Sequence, residues 1–75
     1  MPRKPAVHTV PHGDGWANRT EGASRVFSVA ATQAEAARLG QESARGRGVE
    51  WMGHRANGTI GERRSYGRDP YPPRG

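Results

Sequence analysis

A chain of 75 residues with a net charge of +5 and no cysteine makes at most one domain and excludes a disulfide framework. Its apolar residues, 32% of the total, never run to the roughly 20 that a membrane-spanning helix needs. Such a domain buries only about 60% of its unfolded surface, so each large apolar side chain counts.

The opening residues 1–5, with two prolines and the basic pair Arg3 and Lys4, read as a flexible arm. No apolar segment follows them, so the start does not resemble a secretory signal. Residues 6–10 are β-favouring, and Pro11-His12-Gly13-Asp14-Gly15 is a turn cluster. Residues 16–21 return as a second strand. Residues 21–24 turn again, and the β-branched and aromatic run 25–30 forms a third strand.

Thr32-Gln33-Ala34-Glu35 is a capping box and opens a helix that runs to about Arg45, then stops at Gly46-Arg47-Gly48. Ala36, Leu39, Gly40 and Ser43 share one helix face. That face is nearly all small, so the helix lies close to its sheet, despite the roughly 1 kcal/mol of helix propensity that Gly40 costs. Glu35, Arg38, Glu42 and Arg45 occupy the opposite face, with Arg38 and Glu42 spaced i,i+4.

Residues 49–54 read as a fourth strand and 59–66 as a fifth, joined by Ala56-Asn57-Gly58-Thr59. Asn-Gly favours a two-residue turn, which places Val49, Trp51, Ile60 and Tyr66 on one face; a three-residue turn with a bulge would change that pairing. Residues 67–75 are a Pro-rich basic tail. The expected architecture is therefore α+β: an antiparallel sheet of about five strands in the order β-β-β-α-β-β, one helix on one face, and a single domain over 6–66. The expected core is Val7, Val10, Trp16, Val26, Phe27, Val29, Leu39, Val49, Trp51, Met52 and Ile60.

Chemistry-bearing motifs are few. His8 and His12 are separated by Pro11, which forbids a helix, and four strand residues span roughly 13 Å, too far for one metal ion. A bend at Pro11 together with His54 is the only rescue, and no further ligand is evident, so no metal and no cofactor are expected. Gly13-Asp14-Gly15 lacks the third glycine and the following helix of a phosphate loop. There is no nucleophile elbow and no carboxylate pair for acid–base work. The chain is expected not to be an enzyme, and no small-molecule substrate is evident.

The charge is unevenly spread. The helix, 32–45, is neutral, while residues 1–31 carry four basic and two acidic groups and residues 46–75 six basic and three acidic. Eleven of the twelve basic residues are arginine, the side chain best suited to phosphate. A GC-rich genome also enriches arginine, glycine, alanine and proline. The charge points to DNA or RNA as partner, with Arg19, Arg25, Arg63, Arg64, Arg68 and Tyr66 as candidate contacts. The alternative is a protein-interaction module that forms a homodimer or joins a larger assembly, as its thin core suggests. A cytoplasmic location, with no membrane association, fits either reading.

The strings His8-Thr9-Val10-Pro11-His12-Gly13-Asp14-Gly15-Trp16-Ala17, Glu21-Gly22-Ala23-Ser24-Arg25, Thr32-Gln33-Ala34-Glu35-Ala36, Gly58-Thr59-Ile60 and Ser65-Tyr66-Gly67-Arg68-Asp69-Pro70-Tyr71-Pro72-Pro73 resemble a bacterial family, domain of unknown function 2188. The resemblance covers about residues 7–73. It implies a small bacterial or phage-associated cytoplasmic protein and carries no catalytic residues with it. Gly40 and Ser43 depart from the family's larger apolar residues on the helix.

Overall fold

A computed structural model describes residues 4–66. Residues 1–3 of the expected arm 1–5, the tail and Arg68 lie outside the described residues. Five strands and one helix follow in chain order: β1 (Val7–His12), β2 (Gly15–Thr20), β3 (Val26–Ala30), α1 (Gln33–Arg47), β4 (Glu50–His54) and β5 (Ile60–Ser65). The fold is α+β, a single five-stranded sheet in the order β3-β2-β1-β4-β5 with α1 packed on one face.

The sheet is not wholly antiparallel. β1 and β4 run parallel, Val7 beside Trp51 and Thr9 beside Gly53. The helix causes this. It carries the chain from the far end of β3 back to the start of the sheet, so β4 runs in the same direction as β3 and β1. The β4 pairing ends at Thr9, two residues before Pro11, so a proline in the central strand faces no ladder partner there.

Helix boundaries follow local chemistry. Thr32 is extended, and its Oγ1 accepts from the Glu35 amide at 3.2 Å. Gly48 ends the helix with φ 71°, and its N–H reaches the carbonyls of Ala44 and Arg45. The β4–β5 hairpin takes the longer turn. Gly58 has φ 91°, whereas no non-glycine residue among the described residues has positive φ, so Asn57-Gly58 cannot be the two-residue turn that needs both. Ala56, Asn57 and Gly58 form the loop instead, with Arg55 bonded to Thr59, and the pairing slips at Gly53/His54. Ile60 consequently pairs with His54 and stands 46% exposed.

The core is smaller-grained than the hydrophobic pattern implies. Val7, Val49, Trp51 and Met52 are buried as expected. Phe27 at 41%, Val29 at 62% and Ile60 are exposed instead. Alanines fill the space: Ala6, Ala17, Ala36 and Ala44 are all buried. Two polar side chains, Thr9 and Asn18, are buried with them.

Those two are satisfied in one chain of hydrogen bonds. Trp51 Nε1 donates to Thr9 Oγ1 at 2.8 Å, and Thr9 Oγ1 donates to Asn18 Oδ1. Asn18 Nδ2 donates to the helix carbonyl of Ala36 at 2.9 Å and to Ser28 Oγ at 3.0 Å. Gly40 sits directly above. A Cβ there would overlap Asn18 Oδ1, Thr9 Oγ1 and Trp51 Nε1. An exposed helical Gly→Ala change stabilises by about 1 kcal/mol. Gly40→Ala is expected to do the reverse, destabilising by about 1–3 kcal/mol as the helix is pushed off the sheet. Chemical denaturation of the two proteins measures the sign.

Candidate functional site

Alternation along each strand sorts the side chains onto two faces. The covered face takes Val7 and Thr9, Trp16 and Asn18, Val49 and Trp51, and also Glu62, Arg64 and Tyr66. The open face takes His8 and Val10, Ala17 and Arg19, Val29, Met52 and His54, and Arg63. Register then aligns one row across four strands: Arg19 beside His8, His8 beside Met52, Met52 beside Arg63. Strands about 4.8 Å apart put the two arginines at opposite ends of a row about 14 Å long. Arg19 is half-buried and its Nε makes no hydrogen bond. Arg63 is exposed.

The other candidates separate. Arg64 stands on the covered side and pairs with Glu62 at 3.0 Å. Tyr66 is half-buried against the cluster of Val7, Ala44, Val49 and Trp51. Arg25 is exposed just before β3, at the same end of the sheet as Arg19.

Helix direction adds cations that the strand pattern does not suggest. The last helical turn returns to the end where β1 begins, bringing Arg45 and Arg47 there. Arg47 donates to Thr20 Oγ1 at 2.9 Å, and its guanidinium lies 4.7 Å from the Phe27 ring centre. Lys4 Nζ donates to the Arg47 carbonyl at 3.4 Å. Among the described residues the ion pairs are His8–Glu21, Arg38–Glu42 and Arg64–Glu62. Arg19, Arg25, Arg45 and Arg47 therefore lie toward one end of the sheet, with Arg63 about 14 Å from Arg19 across the open face, and none of the five has a carboxylate partner among the described residues. The signal in the sequence was the basic last turn of the helix. Glu42 pairs with Arg38, as their i,i+4 spacing predicts.

On the covered side, a cleft of about 430 Å³ opens between the start of α1 and the β4–β5 hairpin. Trp51 and Thr9 line it, with Arg55 and Glu62 beside them. It exists because one helix, about 10 Å wide, cannot blanket five strands.

His8 and His54 meet on the open face. His8 Nδ1 lies 2.9 Å from His54 Nε2, and His54 Nδ1 lies 2.9 Å from the Gly58 carbonyl. His8 Nε2 is buried without a hydrogen bond, 3.7 Å from Glu21 Oε1. Burial, foremost, holds the His8 pKa below its ordinary 6.5; His54 and Arg19 add to this and Glu21 opposes it. The unfolded chain thus takes up this proton at a higher pH than the folded one. His8 contributes its full stability above about pH 6.5 and loses it progressively as the pH falls below that. The melting temperature is expected to drop between pH 7.5 and 5.5, and to drop less in His8→Asn; scanning calorimetry at both pH values checks this.

Comparison with known proteins shows the family. The sequence pattern of a family described as an uncharacterized protein conserved in bacteria matches residues 7–66. A protein of Bacillus subtilis (strain 168), named "Uncharacterized protein YdaT", is 38% identical over 55 residues, which cover 73% of this chain and 37% of that protein. The matched part is thus little more than a third of that relative's length. No solved structure matches.

Proposed function

The chain belongs to the DUF2188 family of uncharacterised bacterial proteins, and on that premise we propose that it is a non-catalytic, cytoplasmic nucleic-acid-binding accessory module. The observation that carries this reading is a set of five arginines, four toward one end of the sheet and Arg63 across its open face, without carboxylate partners among the described residues. Bringing like charges together costs free energy unless an anion meets them. Phosphates supply that anion, and arginine meets them with two parallel hydrogen bonds. Arg19 and Arg63 at the two ends of the open-face row, with Arg25, Arg45 and Arg47 around the sheet end, are the contacts.

The aromatic placement narrows the mode. Trp16, Trp51 and Tyr66 all lie on the covered side, so the open face offers none of them for base stacking. This favours contact with the sugar–phosphate backbone over base readout, and hence weak sequence preference. In a fluorescence anisotropy titration with duplex DNA, affinity is expected to fall steeply with salt. The double variant Arg19→Ala/Arg63→Ala should reduce the log–log salt slope by about 2, close to 0.9 per lost phosphate contact. Arg64→Ala, on the other side and paired with Glu62, should leave the slope nearly unchanged. Affinity that is flat across salt would reject the reading.

A second reading, self-assembly, draws support from the exposed Val29 on β3 and Ile60 on β5, the two edge strands of the sheet. It predicts dimers in sedimentation velocity at high protein concentration, reduced to monomers by Val29→Glu. A monomer throughout would exclude it.

A further inference from the structure

His8 and His54 stand on parallel neighbouring strands, two residues out of register, and turn their rings toward each other. Three surroundings make demands on their four nitrogens. The Gly58 carbonyl can only accept, so His54 Nδ1 carries a hydrogen and its Nε2 presents a lone pair to His8. The Glu21 carboxylate, 3.7 Å from His8 Nε2, also calls for a hydrogen on that nitrogen. If His8 meets it, its Nδ1 is left with a lone pair facing that of His54 Nε2, 2.9 Å away. If His8 instead puts its hydrogen on Nδ1, its buried Nε2 turns a lone pair toward a carboxylate. Either neutral arrangement leaves two electron-rich atoms opposed, so the cluster is one cation short.

We propose that this pair is a binding site for one borderline divalent metal ion, zinc, nickel or copper(II), held between His8 Nδ1 and His54 Nε2. Bonds of about 2.0–2.1 Å from imidazole nitrogen put two donors on one ion roughly 3 Å apart, and the pair is already at that separation. His54 Nδ1 has the outer partner that metal-bound histidines use, a backbone carbonyl, and the Glu21 carboxylate lies 3.7 Å from His8 Nε2, near enough to become its partner when the ring shifts. Among the described residues, no group of three or more histidine, cysteine, aspartate or glutamate side chains converges. The remaining positions on the ion therefore go to water or an incoming ligand, which makes the site open and exchangeable. Sequence spacing had set His8 against His12 along one strand; the parallel pairing substitutes His54. The proposal does not depend on the nucleic-acid reading.

The test is calorimetric titration of the whole chain with zinc chloride, then nickel chloride, at pH 7.5. It is followed by ¹⁵N shifts of the imidazole nitrogens. His8 Nδ1 and His54 Nε2 are expected to shift on binding. His8→Asn and His54→Asn should each weaken binding at least tenfold, and His12→Asn should leave it unchanged. Glu21→Gln, which spares both ligands, should weaken it about tenfold through the outer partner. No binding of either metal at millimolar concentration would overturn the proposal. So would binding that survives His8→Asn/His54→Asn, or that falls as far in His12→Asn. Should the histidine variants not fold, the imidazole shifts of the unaltered protein decide alone: unmoved resonances at His8 and His54 overturn it.

Discussion

One buried polar relay holds the structure in its present form. The Trp51 indole, the Thr9 hydroxyl and the Asn18 amide join β4, β1 and β2, and Asn18 then reaches a helix carbonyl and Ser28 on β3. Every strand but β5 is touched by it. Fully satisfied, such a relay favours one packing of sheet and helix, because any other leaves buried donors and acceptors bare at roughly 1–3 kcal/mol each. Its location dictates the residue above it. Only a position without a side chain lets the helix come within reach of Asn18, and Gly40 is that position. The helix loses intrinsic propensity there and gains a hydrogen-bonded seat.

The same close approach explains the modest core. A helix drawn down onto threonine and asparagine leaves room for alanine, not leucine, at Ala36 and Ala44. Trp51 then supplies the bulk on the β4 side. The larger apolar residues Val29, Phe27 and Ile60 fall at the sheet margins, outside the helix's footprint. The helix thereby covers one side of the sheet over β1 to β4, and the other side presents arginine, histidine and valine to solvent.

Topology, in turn, arranges the charge. The helix returns the chain to the end where β1 starts, so its basic last turn comes to the same end of the sheet as Arg19 and Arg25. The parallel pairing of β1 with β4 also brings His8 to His54. Neither grouping exists within a single element; both arise from one crossover.

The order of strands and helix, the capping box at Thr32, the αL stop near Gly48 and the small helix face around Gly40 were all legible in local residue chemistry, because each depends on neighbours a few positions away. Turn length at Asn57-Gly58 was not. The choice between two and three loop residues rests on strand register, and it moved Ile60 out of the core. Among the candidate contacts, Arg19 and Arg63 share a face, while Arg64 and Tyr66 turned to the other. By itself the sequence determined an α+β chain with excess positive charge on its strands, loops and tails, since composition and short-range propensity suffice for that. Tertiary structure alone decided which charges are neighbours and which histidine faces which. Those juxtapositions come from strand pairings more than 40 residues apart, and no local pattern encodes a partner at that distance.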